Sequence, residues 1–289
     1  MTITSREQDE VTAANESGRP PVVFVHGLWL LAGSWDEWRE RFEGEGFATV
    51  AVDWPDDPAS VEAARADPEV FAGKGVVEVA DHIEEVVRAL DQEPIVIGHS
   101  FGGLLAQIIA GRGVAATAVA IDPAPFKGVL PLPFSALKAS FPVLGNPGNR
   151  NKAVTLTFDQ FRYGFANAVD EDEAHDLYER FHVAAPGRPL FQAAFANVNP
   201  KAATKVDVAR ADRGPLLVIS GGSDHIVPWA LANAAYKIQN KKNPNPTEIV
   251  EIPDVGHSLV LDSHWGEVAD AALAFLARHD AGPVTGSDG

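Results

Sequence analysis

The chain has 289 residues, of which 46% are apolar, enough to bury a large core within one α/β domain. Its 40 acidic residues outnumber its 23 lysines and arginines, for a net charge of −17; such a surface repels nucleic-acid phosphates and anionic lipid and favours small neutral or cationic substrates. The absence of cysteine excludes disulfides, thiolate metal sites and cysteine nucleophiles.

Residues 1–19 are polar and lack an apolar signal-peptide core, so they read as a disordered arm. The run VVFVHG at 22–27 predicts a short buried strand. SWDEWRERFEGEG predicts a helix, and ATVAVDW at 48–54 a second strand. Apolar residues at 76, 79, 83, 86, 87 and 90 follow a helical period over 76–90. A strand at 95–97, a helix at 100–111, a strand at 117–122 and a strand at 216–221 come next. A helix at 228–239, a strand at 248–253 and a helix at 265–278 finish the pattern. This alternation predicts an α/β fold with a mostly parallel sheet covered by helices on both faces. Residues 20–123 and 206–280 form the expected core. Residues 124–205, rich in proline and aromatics, predict an inserted, mainly helical cap. Residues 281–289 predict a disordered tail. No stretch reaches the roughly 18 uninterrupted apolar residues of a membrane span. A cytoplasmic protein acting on a small molecule is therefore expected, with neither nucleic acid nor membrane as partner; the oligomeric state is not legible.

The stretch PIVIGHSFGG places Ser100 between a buried strand and an apolar helix. Gly98-His99-Ser100-Phe101-Gly102 has the form G-x-S-x-G. A direct turn from strand to helix strains the central residue, and glycines two positions either side give room for close packing. The turn lifts the hydroxyl clear of the sheet and aims the N–H of Phe101, at the helix start, toward a developing anion. An ordinary glycine-rich turn is the plain alternative. A serine nucleophile needs a base. Of nine histidines, His257 in VGHSLVLD follows the last predicted strand and so reaches the same sheet edge. Asp224 in SGGSDHIVP is the expected third member, orienting the imidazole; Asp122, at the end of an earlier strand, is the alternative, and Asp254 is too near His257 in sequence. No metal-ligand spacing is present, and G-x-S-x-G-G lacks the spacing of a dinucleotide loop. No metal or organic cofactor is therefore expected.

With Ser100, Asp224 and His257 in that order, the chain resembles the α/β-hydrolase superfamily over roughly residues 20–280, in VVFVHGLW, VIGHSFGG, SGGSDHIVP and VGHSLVLD. The resemblance implies that Leu28, after His26-Gly27, donates one oxyanion-hole N–H and Phe101 the other. With so little chain before Pro21, the initial antiparallel strand pair of many members is expected to be missing, leaving about six parallel strands. The HGLW loop differs from the triple-glycine form of some lipases. Serine at the elbow excludes haloalkane dehalogenase and epoxide hydrolase chemistry, which needs aspartate there. Hydrolysis of an ester or lactone with a small to medium apolar group is the expected activity, with Trp29, Phe126, Phe161 and Phe165 lining the substrate pocket. Perhydrolase and hydroxynitrile-lyase chemistry on the same triad, or a hydrolase-derived receptor, are the competing readings.

Overall fold

A computed structural model describes residues 3–283. In chain order it runs α1 (Ser5–Ser17), β1 (Pro21–Val25), α2 (Asp36–Gly44), β2 (Ala48–Val52), α3 (Val61–Ala66), α4 (Val76–Arg88), β3 (Ile95–His99), α5 (Phe101–Arg112) and β4 (Thr117–Ile121). There follow α6 (Phe134–Leu144), β5 (Ala153–Val154), α7 (Phe158–Gly164), α8 (Glu171–Phe181), β6 (Ala185–Pro186) and α9 (Arg188–Ala194). The chain closes with β7 (Leu216–Gly221), α10 (Trp229–Lys242), β8 (Thr247–Ile252) and α11 (Trp265–Arg278). Each predicted strand and helix is present, with ends shifted by a few residues.

Six strands form one sheet in the order β2-β1-β3-β4-β7-β8, all parallel. Every residue of β1 to β4 and of β7 is buried, which is why these strands read as continuous apolar runs rather than alternating ones. Helix α5 is apolar all round because Phe101–Gly111 are all buried between the sheet and neighbouring helices. On β1, Phe24 stacks on Trp35 at 5.0 Å and meets Phe42 edge-on at 5.4 Å, building an aromatic core under α2. The order reverses between β1 and β3, and such a reversal opens a crevice at the carboxyl ends of the strands.

The expected disordered arm is instead helix α1. Thr4 and Glu7 form a capping box, and Gly18 ends the helix at φ 64°. The helix docks through polar contacts. Glu7 is fully buried and accepts from His82 Nε2 at 2.9 Å and from Asp53 N at 3.1 Å, while Arg6 pairs with Asp53 at 2.7 Å. Its buried apolar contribution is small, Val11 and Ala14, so no hydrophobic stripe announces it. At the start of the expected tail Ala281 N–H donates to Leu276 O at 3.0 Å, and residues 284–289 lie outside those described.

Between β4 and β7 the chain forms α6 to α9 and a two-residue antiparallel pair, β5 with β6. This segment is tied to three strand-end loops. Trp29 after β1 donates its indole N–H to Val154 O at 2.9 Å, Asn167 donates to Ser223 O after β7 at 2.8 Å, and Ser258 N–H after β8 donates to Phe165 O at 2.9 Å. No helix among the described residues is long and apolar enough to cross a membrane.

Candidate active site

Ser100 caps α5 at φ 58°, a left-handed conformation that strains a non-glycine residue. Its neighbours are glycines because the backbones touch. A Cβ on Gly98 would lie 2.0 Å from Gly102 O, and one on Gly102 would lie 2.0 Å from Val25 O. A Cβ on Gly27 would lie 2.7 Å from Ser100 Cβ, so the loop after β1 closes directly over the serine. Ser100 N–H donates to Ile121 O and its carbonyl accepts from Leu104 and Ala124, which pins the turn to β4. Neither Leu28 N–H nor Phe101 N–H donates to a protein acceptor among the described residues. Phe101 N–H is one of the open donors of the α5 start.

His257 follows β8 and is fully buried. Its Nδ1 bonds Asp224 Oδ2 at 2.6 Å. The ring lies 4.6 Å from the ring of His99, next to Ser100, and meets Phe165 edge-on at 4.9 Å. Its Nε2 has no hydrogen-bond partner, so it makes no hydrogen bond to Ser100 Oγ. Asp224 accepts two further hydrogen bonds, from Ile226 N at 2.6 Å and Val227 N at 3.0 Å. Burial works against its ionisation, but the imidazole of His257, the Asp122 carboxyl and Val227 N–H outweigh it and hold the carboxyl below its ordinary value. The opposite holds for Asp122. Burial, reinforced by the Asp224 carboxylate, pushes its carboxyl well above the usual range, although Gly221 N donates to it at 2.8 Å. The two carboxyls are thus pushed in opposite directions, and of the two aspartates it is Asp224 that bonds the imidazole. Asp122, Asp224 and His257 bring ligand atoms within 4.8 Å of one another. Nδ1 and Oδ2 lie at hydrogen-bonding distance, 2.6 Å apart. Burial, with the neighbouring imidazole of His257 adding to it, depresses His99 well below the ordinary imidazole value.

A cavity of about 250 Å³ opens beside Ser100 and Phe101. Its lining corrects part of the sequence reading. Phe126 lines it; Trp29, Phe161 and Phe165 do not. Phe161 stacks on Phe165 at 5.2 Å, and Trp29 meets Phe165 edge-on at 6.0 Å, so these rings form the packing that supports the His257 loop. The apolar face of α7 turns inward to Tyr178 and His182, 5.4 and 5.6 Å from the Phe161 ring, and is spent there. The cavity wall is aliphatic instead: Leu130, Leu132 and Leu137 around α6, Leu190 on α9, and Ile226 and Leu231 near α10. The only sequence signal for these was the leucine–proline run VLPLPF.

The model of an alpha/beta hydrolase family matches residues 22–271. No curated protein matches the chain. Among solved structures, the monoacylglycerol lipase of Paleococcus ferrophilus is 22% identical, with a TM-score of 0.61 over 91% of this chain and 96% of that one. An extracellular alpha/beta-hydrolase from a Paenibacillus species is 18% identical, with a TM-score of 0.63 over 88% and 98%. Polyneuridine aldehyde esterase is 18% identical, with a TM-score of 0.61 over 89% and 99%. At these identities the likeness is one of fold.

Proposed function

The chain belongs to the alpha/beta hydrolase family, and on that premise we propose that it is a serine hydrolase cleaving a carboxylic ester or lactone of small to medium apolar substrates through an acyl-enzyme. The observation that carries this reading is the buried 2.6 Å bond from His257 Nδ1 to Asp224, which commits one ring nitrogen and leaves Nε2 as an unpaired base at the rim that holds Ser100. Two of the structural relatives, the monoacylglycerol lipase and polyneuridine aldehyde esterase, are named for ester cleavage, which supports the same class.

In this reading Ser100 Oγ attacks the substrate carbonyl carbon while its proton passes to His257 Nε2. Rotation of the serine side chain brings Oγ to the imidazole as substrate enters, since catalytic hydrogen bonds are often longer before the substrate is bound. The carbonyl oxygen becomes an oxyanion held by Leu28 N–H and Phe101 N–H, an arrangement in which losing one donor costs on the order of 3 kcal/mol in comparable sites. His257, now cationic and steadied by ionised Asp224, gives its proton to the leaving alkoxide oxygen. Water then attacks the acyl-enzyme, with His257 as base, and releases the acid. The aliphatic cavity walled by Leu132, Leu137 and Leu231 receives the apolar group of the substrate.

A fluorophosphonate tests the proposal. Intact-mass measurement is expected to show one adduct, mapped to Ser100, and none in Ser100→Ala. Ester turnover in that variant falls by several orders of magnitude. A wild-type protein that stays unlabelled, or a Ser100→Ala protein that turns over esters normally, would overturn it.

A further inference from the structure

The net charge of −17 hides an uneven distribution. Residues 123–158, 180–206 and 225–247 contain no aspartate or glutamate, yet they hold 11 of the 23 lysines and arginines. The remaining 12 cations share the rest of the chain with all 40 acids. Eight of the nine lysines fall in the acid-free stretches.

The fold brings several of these lysines together. Lys127, Lys205, Lys237, Lys241 and Lys242 surround one cleft of about 570 Å³, whose floor is Phe126, Val206, Val208 and Ile238. None of the five is in an ion pair among the described residues, where Lys74 is the lysine that has one. Lys127 Nζ donates to a backbone carbonyl, Asn199 O, at 2.7 Å, which holds the ammonium at the cleft without neutralising it.

The same segments carry the exposed apolar surface. Seven of the eight large hydrophobic side chains exposed among the described residues lie in 130–141 or 195–198; Phe134 and Val198 are 79% and 81% exposed. The two stretches are joined, because Gly128 N–H donates to Asn197 Oδ1 and Asn197 Nδ2 donates to Val129 O. The apolar surface runs on into the cavity beside Ser100 through Leu130, Leu132 and Leu137, and Phe126 is a wall of both that cavity and the lysine cleft. Clustered exposed hydrophobics beside unpaired cations mark a surface that meets something.

We propose that this face docks on an anionic lipid surface, the side chains of 130–141 and 195–198 entering the headgroup–acyl boundary while the lysine cluster meets the lipid phosphates. Charge complementarity selects this occupant. A second copy of the chain docking by the same face would set cations against cations. A hydrogen-bonding protein partner finds little on 129–145: three prolines remove N–H donors, the polar side chains are Ser135, Lys138 and Ser140, and Ser140 Oγ already donates to Ala136 O. A lipid surface needs no directional donors, only apolar side chains flanked by cations. The acidic remainder of the molecule is repelled by the same surface, which orients the protein with this face down and places the opening beside Ser100 toward the lipid.

Vesicle co-sedimentation tests the proposal independently of any chemistry at Ser100. The wild-type chain is expected to pellet with phosphatidylglycerol vesicles at low salt, and to stay in solution with phosphatidylcholine vesicles or at ~0.5 M salt, where the Debye length is only a few ångströms. Two double variants at exposed positions separate the contributions: Lys237→Glu with Lys241→Glu, and Phe134→Ser with Val198→Ser. Each is expected to lower binding to anionic vesicles by about tenfold or more while leaving the thermal midpoint unchanged. Failure of the wild type to pellet with anionic vesicles, equal binding to neutral ones, or wild-type binding by either folded double variant would overturn the proposal.

Discussion

At the carboxyl rim of the sheet, a single methyl group on Gly27 would sit 2.7 Å from Ser100 Cβ, and the residue beneath it is held at a strained φ of 58°. At residues 130–141, by contrast, Leu130 and Phe134 stand in solvent and the nearby cleft lysines have no carboxylate partners among the described residues. The rim is built from buried backbone contacts and a buried imidazole–carboxylate hydrogen bond, so it has one geometry. The segment between β4 and β7 is built from aliphatic walls and prolines around a cavity, so its shape is open to change by side-chain size. The two meet at Asn167 and Phe165, which bond the loops carrying Asp224 and His257. A preorganised rim suits chemistry, and a soft apolar wall suits the choice of substrate.

The sharpest way to break that contrast is at the aspartates. Asp224→Asn removes the anion that bonds His257 Nδ1 and is expected to lower ester turnover by about four orders of magnitude. Asp122→Asn imitates a carboxyl that burial pushes toward its neutral form, and turnover is expected to stay within about tenfold. Equal losses in the two variants, measured as kcat/KM on one ester, would mean that the charges are assigned to the wrong residues. Next in size is Gly27→Ala. The added carbon must displace Ser100 or the loop before Leu28, and displacements of about 1 Å cost about a hundredfold in rate; labelling by a fluorophosphonate should slow in parallel. Unchanged labelling would show that the rim yields more easily than its packing implies. In the cavity wall, Leu137→Trp should shift the preference among acyl chain lengths by about tenfold toward short chains, without slowing the labelling of Ser100 by a small phosphonate. If labelling falls as much as long-chain turnover, the segment is part of the rim rather than a separate wall.

The smallest effect concerns stability. Burial, helped by the charge of Arg65, depresses His182 to about 4, and its neutral Nε2 accepts from Leu156 N. A base whose folded value lies below its unfolded value of about 6.5 binds more protons unfolded, so folding weakens as pH falls from 6.5 toward 4. The slope approaches 1.4 kcal/mol per pH unit for one such group, and His182→Gln should flatten it. Urea midpoints of the two proteins that run parallel from pH 7 to 5 would rule this out. The Glu7–His82 pair acts in the other sense. Against their burial, their mutual hydrogen bond raises His82 and, with Thr4, lowers Glu7. Its stabilisation is complete between about pH 4.5 and 6.5, fades as pH rises through the folded value of His82, and fades again as pH falls through that of Glu7.

The amino-acid sequence by itself determined the alternation of elements, because strands buried on both faces are continuously apolar and a helix with one exposed face, such as α4, is periodic. It determined the elbow at Ser100, because only glycine permits the contacts at 98 and 102, and it put His257 and Asp224 after strands whose carboxyl ends share one edge. Tertiary structure alone decided the rest. Which aspartate holds the imidazole depends on a hydrogen bond between residues 33 positions apart. Which rings line the cavity depends on the rotation of α7, which turned Phe161 and Phe165 inward. Helix α1 was written in polar letters, Thr4, Glu7 and Gly18, and became visible only when His82 and Asp53 supplied its partners from elsewhere in the chain. Composition reports the sum of the charges, and only the folded chain shows that five lysines surround one cleft.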